Sequence, residues 1–159
     1  MSGAKLPTAT ADPKMLDAFL ERTKMDGVTP VVLGRAALPK LEKALEGKGI
    51  FPGTFALTST KNAVFIAGIQ GGTAIGVCEL LEQQGVRWFM PGDLGLVVPE
   101  KKTIAVAEQA IVQVPSFASR WFQMPDRDWQ VRVRCGGTAF PGGHGLHGLP
   151  SFKTNPELY

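Results

Sequence analysis

The alternation of apolar and polar positions divides the chain into short elements separated by turn residues. Residues 1–13 have two prolines and no period, and read as loop. Asp12-Pro13 then opens a helix in which Met15, Leu16, Phe19 and Leu20 share one face, and Gly27 ends it. Residues 29–34, Thr-Pro-Val-Val-Leu-Gly, form a β-branched run that predicts a strand. Over 36–47, Leu38, Leu41 and Leu45 recur at helical spacing while Lys40, Glu42, Lys43 and Glu46 point outward. Pro39 sits in the first turn of that helix, where a missing N–H does no harm. After a glycine and proline loop at 48–53, residues 54–59 predict a strand, with Phe55 and Leu57 alternating with smaller residues.

The stretch 62–99 carries the clearest pattern. Val64, Phe65 and Ile66 predict a buried strand that forms an antiparallel hairpin with 54–59 through the turn Thr60-Lys61-Asn62. Gly71 and Gly72 allow a tight turn, and Thr73 is placed to cap the next element. Ile75, Val77, Cys78, Leu80 and Leu81 then mark an amphipathic helix, with Glu79, Glu82, Gln83 and Gln84 on its other face. Gly85 stands where a left-handed C-cap is favoured, residues 86–90 resume strand character, and Pro91-Gly92 ends it. A further short strand is predicted at 103–107, Thr-Ile-Ala-Val-Ala. The order strand, helix, hairpin, helix, strand implies an α+β domain in which the helices at 36–47 and after Gly72 cover one face of a mixed β-sheet.

The run GTAIGVCELLEQQGVRWFMPGDLGLVVP, residues 72–99, resembles a signature of certain bacterial glycoside hydrolases. That signature, G-T-x-x-G-V-x-x-L-L-E-x-x-G-V-R-W-(F/Y)-x-P-G-(D/E)-L-G-x-V-V-P, belongs to the accessory domain that precedes their barrel. The nearest resemblance is to the bacterial family catalogued as domain of unknown function 4838, related to the α-glucuronidases and more distantly to the β-hexosaminidases. It extends over nearly the whole chain, from SGAKLP through PSFASRWF to NPELY. The resemblance implies an accessory domain over residues 1–114, similar to the second domain of β-hexosaminidases. It also implies that the first strand of a (β/α)8 barrel begins after Pro115, so that residues 115–159 are the incomplete opening of that barrel. Locally, residues 126–134 suit either a short helix or, through Val131 and Val133 alternating with Arg132 and Arg134, a strand.

Size and charge narrow the field. The chain has 159 residues, whereas a (β/α)8 barrel alone takes about 250 residues, so a complete barrel enzyme does not fit. A net charge of +3 on scattered basic residues gives no footprint for nucleic acid. No stretch approaches the roughly 20 apolar residues of a membrane span. The opening MSGAKLP lacks the basic-then-apolar order of a secretory leader and assigns no compartment. Cys78 and Cys135 are too few for a disulfide framework and read as free, buried or half-buried thiols.

Four groups of residues bear on chemistry. Gly-Ile-Gln-Gly-Gly-Thr at 68–73 lies between strand and helix, but it lacks the spacing of a dinucleotide loop or a P-loop, no lysine follows, and a tight turn accounts for it. His144 and His147, the two histidines, make an H-x-x-H pair without the third and fourth ligands zinc requires, so no metal or other cofactor is expected. The resemblance gives His144 another use, because a residue following the first barrel strand lies at the substrate end of such barrels. It also implies a sugar contact for Arg120, since in the related hexosaminidases an arginine near the end of the first barrel strand contacts sugar hydroxyls. A guanidinium fork suits paired hydroxyls or a carboxylate, and the neighbouring Trp121 offers a plane for a pyranose ring.

The fourth group, Arg87, Trp88 and Asp93, is expected to be structural, with Arg87 paired to Glu79, Glu82 or Asp93 and Trp88 packing the domain against the barrel. A glycosidase ordinarily needs two carboxylates roughly 5 to 10 Å apart. In the related families these come from later barrel strands, so no catalytic residue is assigned and Glu42, Glu79 and Glu82 read as helix-surface acids. The expected partner is a carbohydrate, held by the downstream barrel. The expected role is a non-catalytic accessory region of a hydrolase of O-glycosidic bonds, α-glucuronidase-like by resemblance. The alternative is a stand-alone carbohydrate-binding or assembly module that presents Trp121 and Trp129.

Overall fold

A computed structural model describes residues 8–10, 12–48, 51–122, 126–138 and 153–158. The first helix starts where Asp12 Oδ1 accepts a hydrogen bond from the Lys14 N–H, through a single 3-10 turn at Pro13–Met15 that leads into α1 (Leu16–Met25). There follow β1 (Val31–Leu33), α2 (Leu38–Leu45), β2 (Phe55–Ser59), β3 (Val64–Gly68) and α3 (Gly72–Gln83). The later elements are β4 (Arg87–Trp88), β5 (Leu96–Val97), β6 (Gln109–Gln113), β7 (Ser119–Arg120), α4 (Arg127–Arg132) and β8 (Gly136–Gly137).

Four strands form a mixed sheet in the order β1-β3-β2-β6, with β1 parallel to β3 and β2 antiparallel to both its neighbours. The predicted hairpin is β2–β3, in register from Ser59 opposite Val64 to Phe55 opposite Gly68. Side chains alternate between the two faces of a strand, and here both faces are covered. On one face Val32, Ala56, Phe65 and Ala67 pack with Leu16 of α1, with Ala37 at the start of α2 and with Leu41 within it. On the other, Phe55, Leu57, Val64 and Ile66 pack with Ile75 and Leu80 of α3. The fold class is α+β, as expected, but α2 and α3 lie on opposite faces rather than sharing one, and it is α1 that joins α2. The physical reason is the continuous burial of Val64, Phe65, Ile66 and Ala67, which leaves β3 no solvent face. Full burial of each large apolar side chain there contributes about 1.5–3 kcal/mol.

Other expectations change in detail. Leu38 is exposed, and Ala37 takes its place beside Leu41 in the core. Of the strand expected at 86–90, only Arg87 and Trp88 pair, and they pair with β5 in a separate two-stranded ribbon whose connection, 89–95, ends in a 3-10 turn at Asp93–Gly95. No strand forms at 103–107. The strand is β6, which places Ile111 opposite Leu57, whereas Ile104 is exposed with nothing to bury against. The helix reading of 126–134 is the one realised: Asp126 Oδ1 accepts from Trp129 N–H at 2.8 Å and starts α4. After Pro115, β7 pairs antiparallel with β8 in a two-residue rung. No helix among the described residues is long and apolar enough to cross a membrane.

Candidate functional site

The strand-to-helix turn is built by close backbone approach. A Cβ on Gly72 would lie 2.0 Å from the Thr54 carbonyl oxygen, one on Gly68 would lie 2.5 Å from the same oxygen, and one on Gly76 would lie 2.5 Å from Ile66 Cγ2. These three glycines let α3 lie directly on β2 and β3. Gly71 turns the chain at φ 89°, a left-handed conformation that suits glycine. Thr73 does not cap α3. Its Oγ1 accepts from the Gly68 N–H at 3.1 Å and closes the turn from inside. Ile69 N–H donates to Thr54 O at 2.8 Å, and Gly53 N–H and Gly72 N–H donate to Ile69 O at 2.9 and 3.0 Å. The turn is therefore a packing device, with the Gly68, Ile69 and Gly72 amides directed into the domain.

The rest of the 72–99 run has similar work. Gly85 N–H and Val86 N–H donate to Glu82 O and Leu81 O and end α3 with Gly85 at φ 95°. Arg87 does not pair with a carboxylate. Its Nη1 donates to the carbonyls of Glu82 and Val86, both at 2.7 Å, at the negative end of the α3 dipole. Gly95 passes so close to Met90 that a Cβ would lie 2.1 Å from its carbonyl oxygen.

Of the expected sugar-contact residues, Arg120 and Trp121 are described. Arg120 donates from Nε to Arg134 O at 3.1 Å, from Nη1 to Phe117 O at 2.7 Å and from Nη2 to Pro52 O at 2.8 Å. All three nitrogens hold backbone carbonyls of different segments, which makes the guanidinium a clamp. Trp121 is 56% exposed beside it, and Phe117 is 71% exposed. Trp129 is half-buried, edge-on to Phe122 with ring centroids 5.7 Å apart, so only one tryptophan of the expected pair offers a free face. His144 and His147 lie outside the described residues.

The strongest polar group joins two acids expected on the helix surface to an arginine far along the chain. Arg134 Nη2 reaches Glu79 Oε2 at 2.5 Å and Glu82 Oε2 at 2.6 Å, and both carboxylates are largely covered. Arg134 itself sits at φ 61°, uncommon for a residue with a Cβ, and its carbonyl receives Arg120. Two arginines thereby tie β7, α4 and the loop before β2 to α3, while Val131 adds an apolar contact to the core on that side. The spacing of Glu79 and Glu82, one turn apart, together with the basic pair Arg132 and Arg134, was the available signal.

Elsewhere, an open groove of about 420 Å³ lies between α1 and the β2–β3 turn, with Leu20, Ala63 and Phe65 as floor and Asp17, Glu21 and Lys24 on the rim. Lys40 Nζ pairs with Asp17 Oδ1 at 2.7 Å across it, and the mixed charge favours neither anion nor cation. Among the described residues no group of His, Cys, Asp and Glu is arranged to hold a metal ion. Cys78 and Cys135 are free thiols, as read from the sequence. Burial pushes the Cys78 thiol up, with the Glu82 charge adding to it and Arg132 and Arg134 opposing, so its thiolate is disfavoured. Burial also raises Cys135, against an opposing effect of Arg120. Compared with known proteins, the chain matches no family model, no curated protein and no solved structure.

Proposed function

We propose that the chain is a non-catalytic accessory region of a carbohydrate-active glycoside hydrolase, which supports a catalytic barrel that hydrolyses O-glycosidic bonds in an α-glucuronidase-like manner. In this reading residues 1–114 are the accessory domain and residues from 115 onward lead into the barrel. The observation that carries it is the use of the 72–99 run. Gly72, Thr73, Gly76, Glu82, Gly85, Arg87 and Gly95 each have a partner or a close contact within the domain. The run therefore acts as a fold signature rather than as reactive groups. The β4–β5 ribbon supports the same reading, because Phe89, Met90, Leu94, Val97 and Val98 are exposed along it and form an apolar surface for a neighbouring domain.

The purified chain is expected to release no nitrophenol from a panel of nitrophenyl glycosides and glucuronides. Turnover above that of a heat-unfolded sample contradicts the proposal. The second reading, a carbohydrate-binding or assembly module, is favoured by the free face of Trp121. Glycan-array binding by the chain that disappears in Trp121→Ala, with the fold intact by circular dichroism, would select it.

A further inference from the structure

The two edges of the main sheet are finished differently. At the β6 edge Gln109 is held by Gln83, with Nε2 donating to Gln83 Oε1 at 2.6 Å, and Pro115 comes shortly after the strand. At the β1 edge no described residue pairs with the outer backbone. Val64 N–H donates to Pro30 O at 2.9 Å, and the register Val31–Val64 to Leu33–Ile66 makes Pro30, Val32 and Gly34 the residues that bond β3. The N–H and C=O of one residue point the same way and alternate along a strand, so those of Val31 and Leu33 face away from the sheet. Their side chains lie level with Val64 and Ile66 on the α3 side. The core residues of α3 pack against β2 and β3 and stop short of β1, which leaves Val31 51% and Leu33 45% exposed. None of the three strand residues is charged. Edge strands are ordinarily guarded by shortness, charge, a bulge or a cover, and at β1 shortness is the guard among the described residues.

We propose that β1 pairs antiparallel with β1 of a second copy of this chain, about a two-fold axis at Val32, to make one continuous sheet through both copies. The three-residue edge is its own complement. With Val32 opposite Val32 of the partner copy, each Val31 meets a Leu33, and each of these pairs exchanges two N–H···O bonds. The same register brings both exposed apolar pairs together on one face, so a single patch serves both subunits, as a two-fold interface requires. A three-residue edge falls below the roughly 800 Å² per partner of a standard interface, so the association is weak and depends on concentration.

Sedimentation velocity from low micromolar to near-millimolar chain tests this. The expected result is a reversible monomer–dimer equilibrium that the double substitution Val31→Lys, Leu33→Lys abolishes with the circular dichroism spectrum retained. Amide hydrogen exchange of the unsubstituted chain supplies a readout that does not depend on the variant folding: the Val31 and Leu33 amides gain protection as concentration rises. A chain that stays monomeric throughout, a dimer that survives the lysine substitutions, or edge amides indifferent to concentration overturns the proposal.

Discussion

The β2–β3 hairpin and the segment after Pro115 pack against the same helix, α3, by different means. In the first region glycines remove side chains so that backbone meets backbone, and Phe55, Leu57 and Ile66 are buried almost completely. In the second, contact rests on two arginines and Val131, with Phe117, Trp121 and Val133 left in solvent. Close-packed apolar contact tolerates almost no change of shape, whereas a polar clamp on the surface can open locally while the sheet stays intact. The difference places the stability of the domain in the sheet and its adaptable surface in the segment after Pro115, beside the exposed Trp121.

The most damaging single change lies in the first region. Gly72→Ala drives a methyl group into the Thr54 carbonyl, and since both partners are backbone the chain is expected to lose about 3 kcal/mol or more, or to fail to fold, in urea denaturation. A Gly72→Ala protein as stable as the parent would break the account of how α3 meets the sheet. Arg120→Ala comes next. It strands the carbonyls of Pro52, Phe117 and Arg134, and a loss of about 1.5–3 kcal/mol is expected, with Arg120→Lys recovering only part because an ammonium cannot reach three carbonyls in one plane.

The smallest effect sharpens the comparison. Arg134→Ala removes the bridge between Glu79 and Glu82 but keeps the left-handed backbone strain, while Arg134→Gly removes both. In paired melts the glycine variant is therefore expected to be the more stable of the two by about 1 kcal/mol. The opposite order would show that the φ 61° conformation carries no cost.

The sheet was legible because its signals are local. The β-branched run before Gly34, the paired strands around Thr60-Lys61-Asn62, and the glycine that ends α3 each report a backbone need. The division of helices between two faces was also present in the sequence, since Ala63 to Ala67 is apolar without a break and a strand with one wet face would alternate. The true position of β6 was not legible. Thr-Ile-Ala-Val-Ala and Gln-Ala-Ile-Val-Gln are equally plausible strands, and only the register against Leu57 chooses between them. The partners of Arg120 and Arg134 were harder to find for a different reason: they lie 68 and 55 residues away along the chain, and while the acids Glu79 and Glu82 leave a mark in the sequence, the Pro52 carbonyl leaves none. The polar reach that suits an arginine to a sugar also suits it to a clamp, so the residue type alone could not announce the three carbonyls Arg120 holds.

Native-state amide hydrogen exchange on the unsubstituted chain and on Arg120→Ala tests the contrast between the two regions most directly. The amides of β2 and β3 are expected to exchange only through global unfolding. Those of α4, such as Gln130 and Val133, bonded to Asp126 O and Trp129 O, are expected to exchange through a cheaper local opening that Arg120→Ala accelerates further than any loss at β2 and β3. Equal protection in the two regions, or a substitution that shifts both by the same factor, would contradict it.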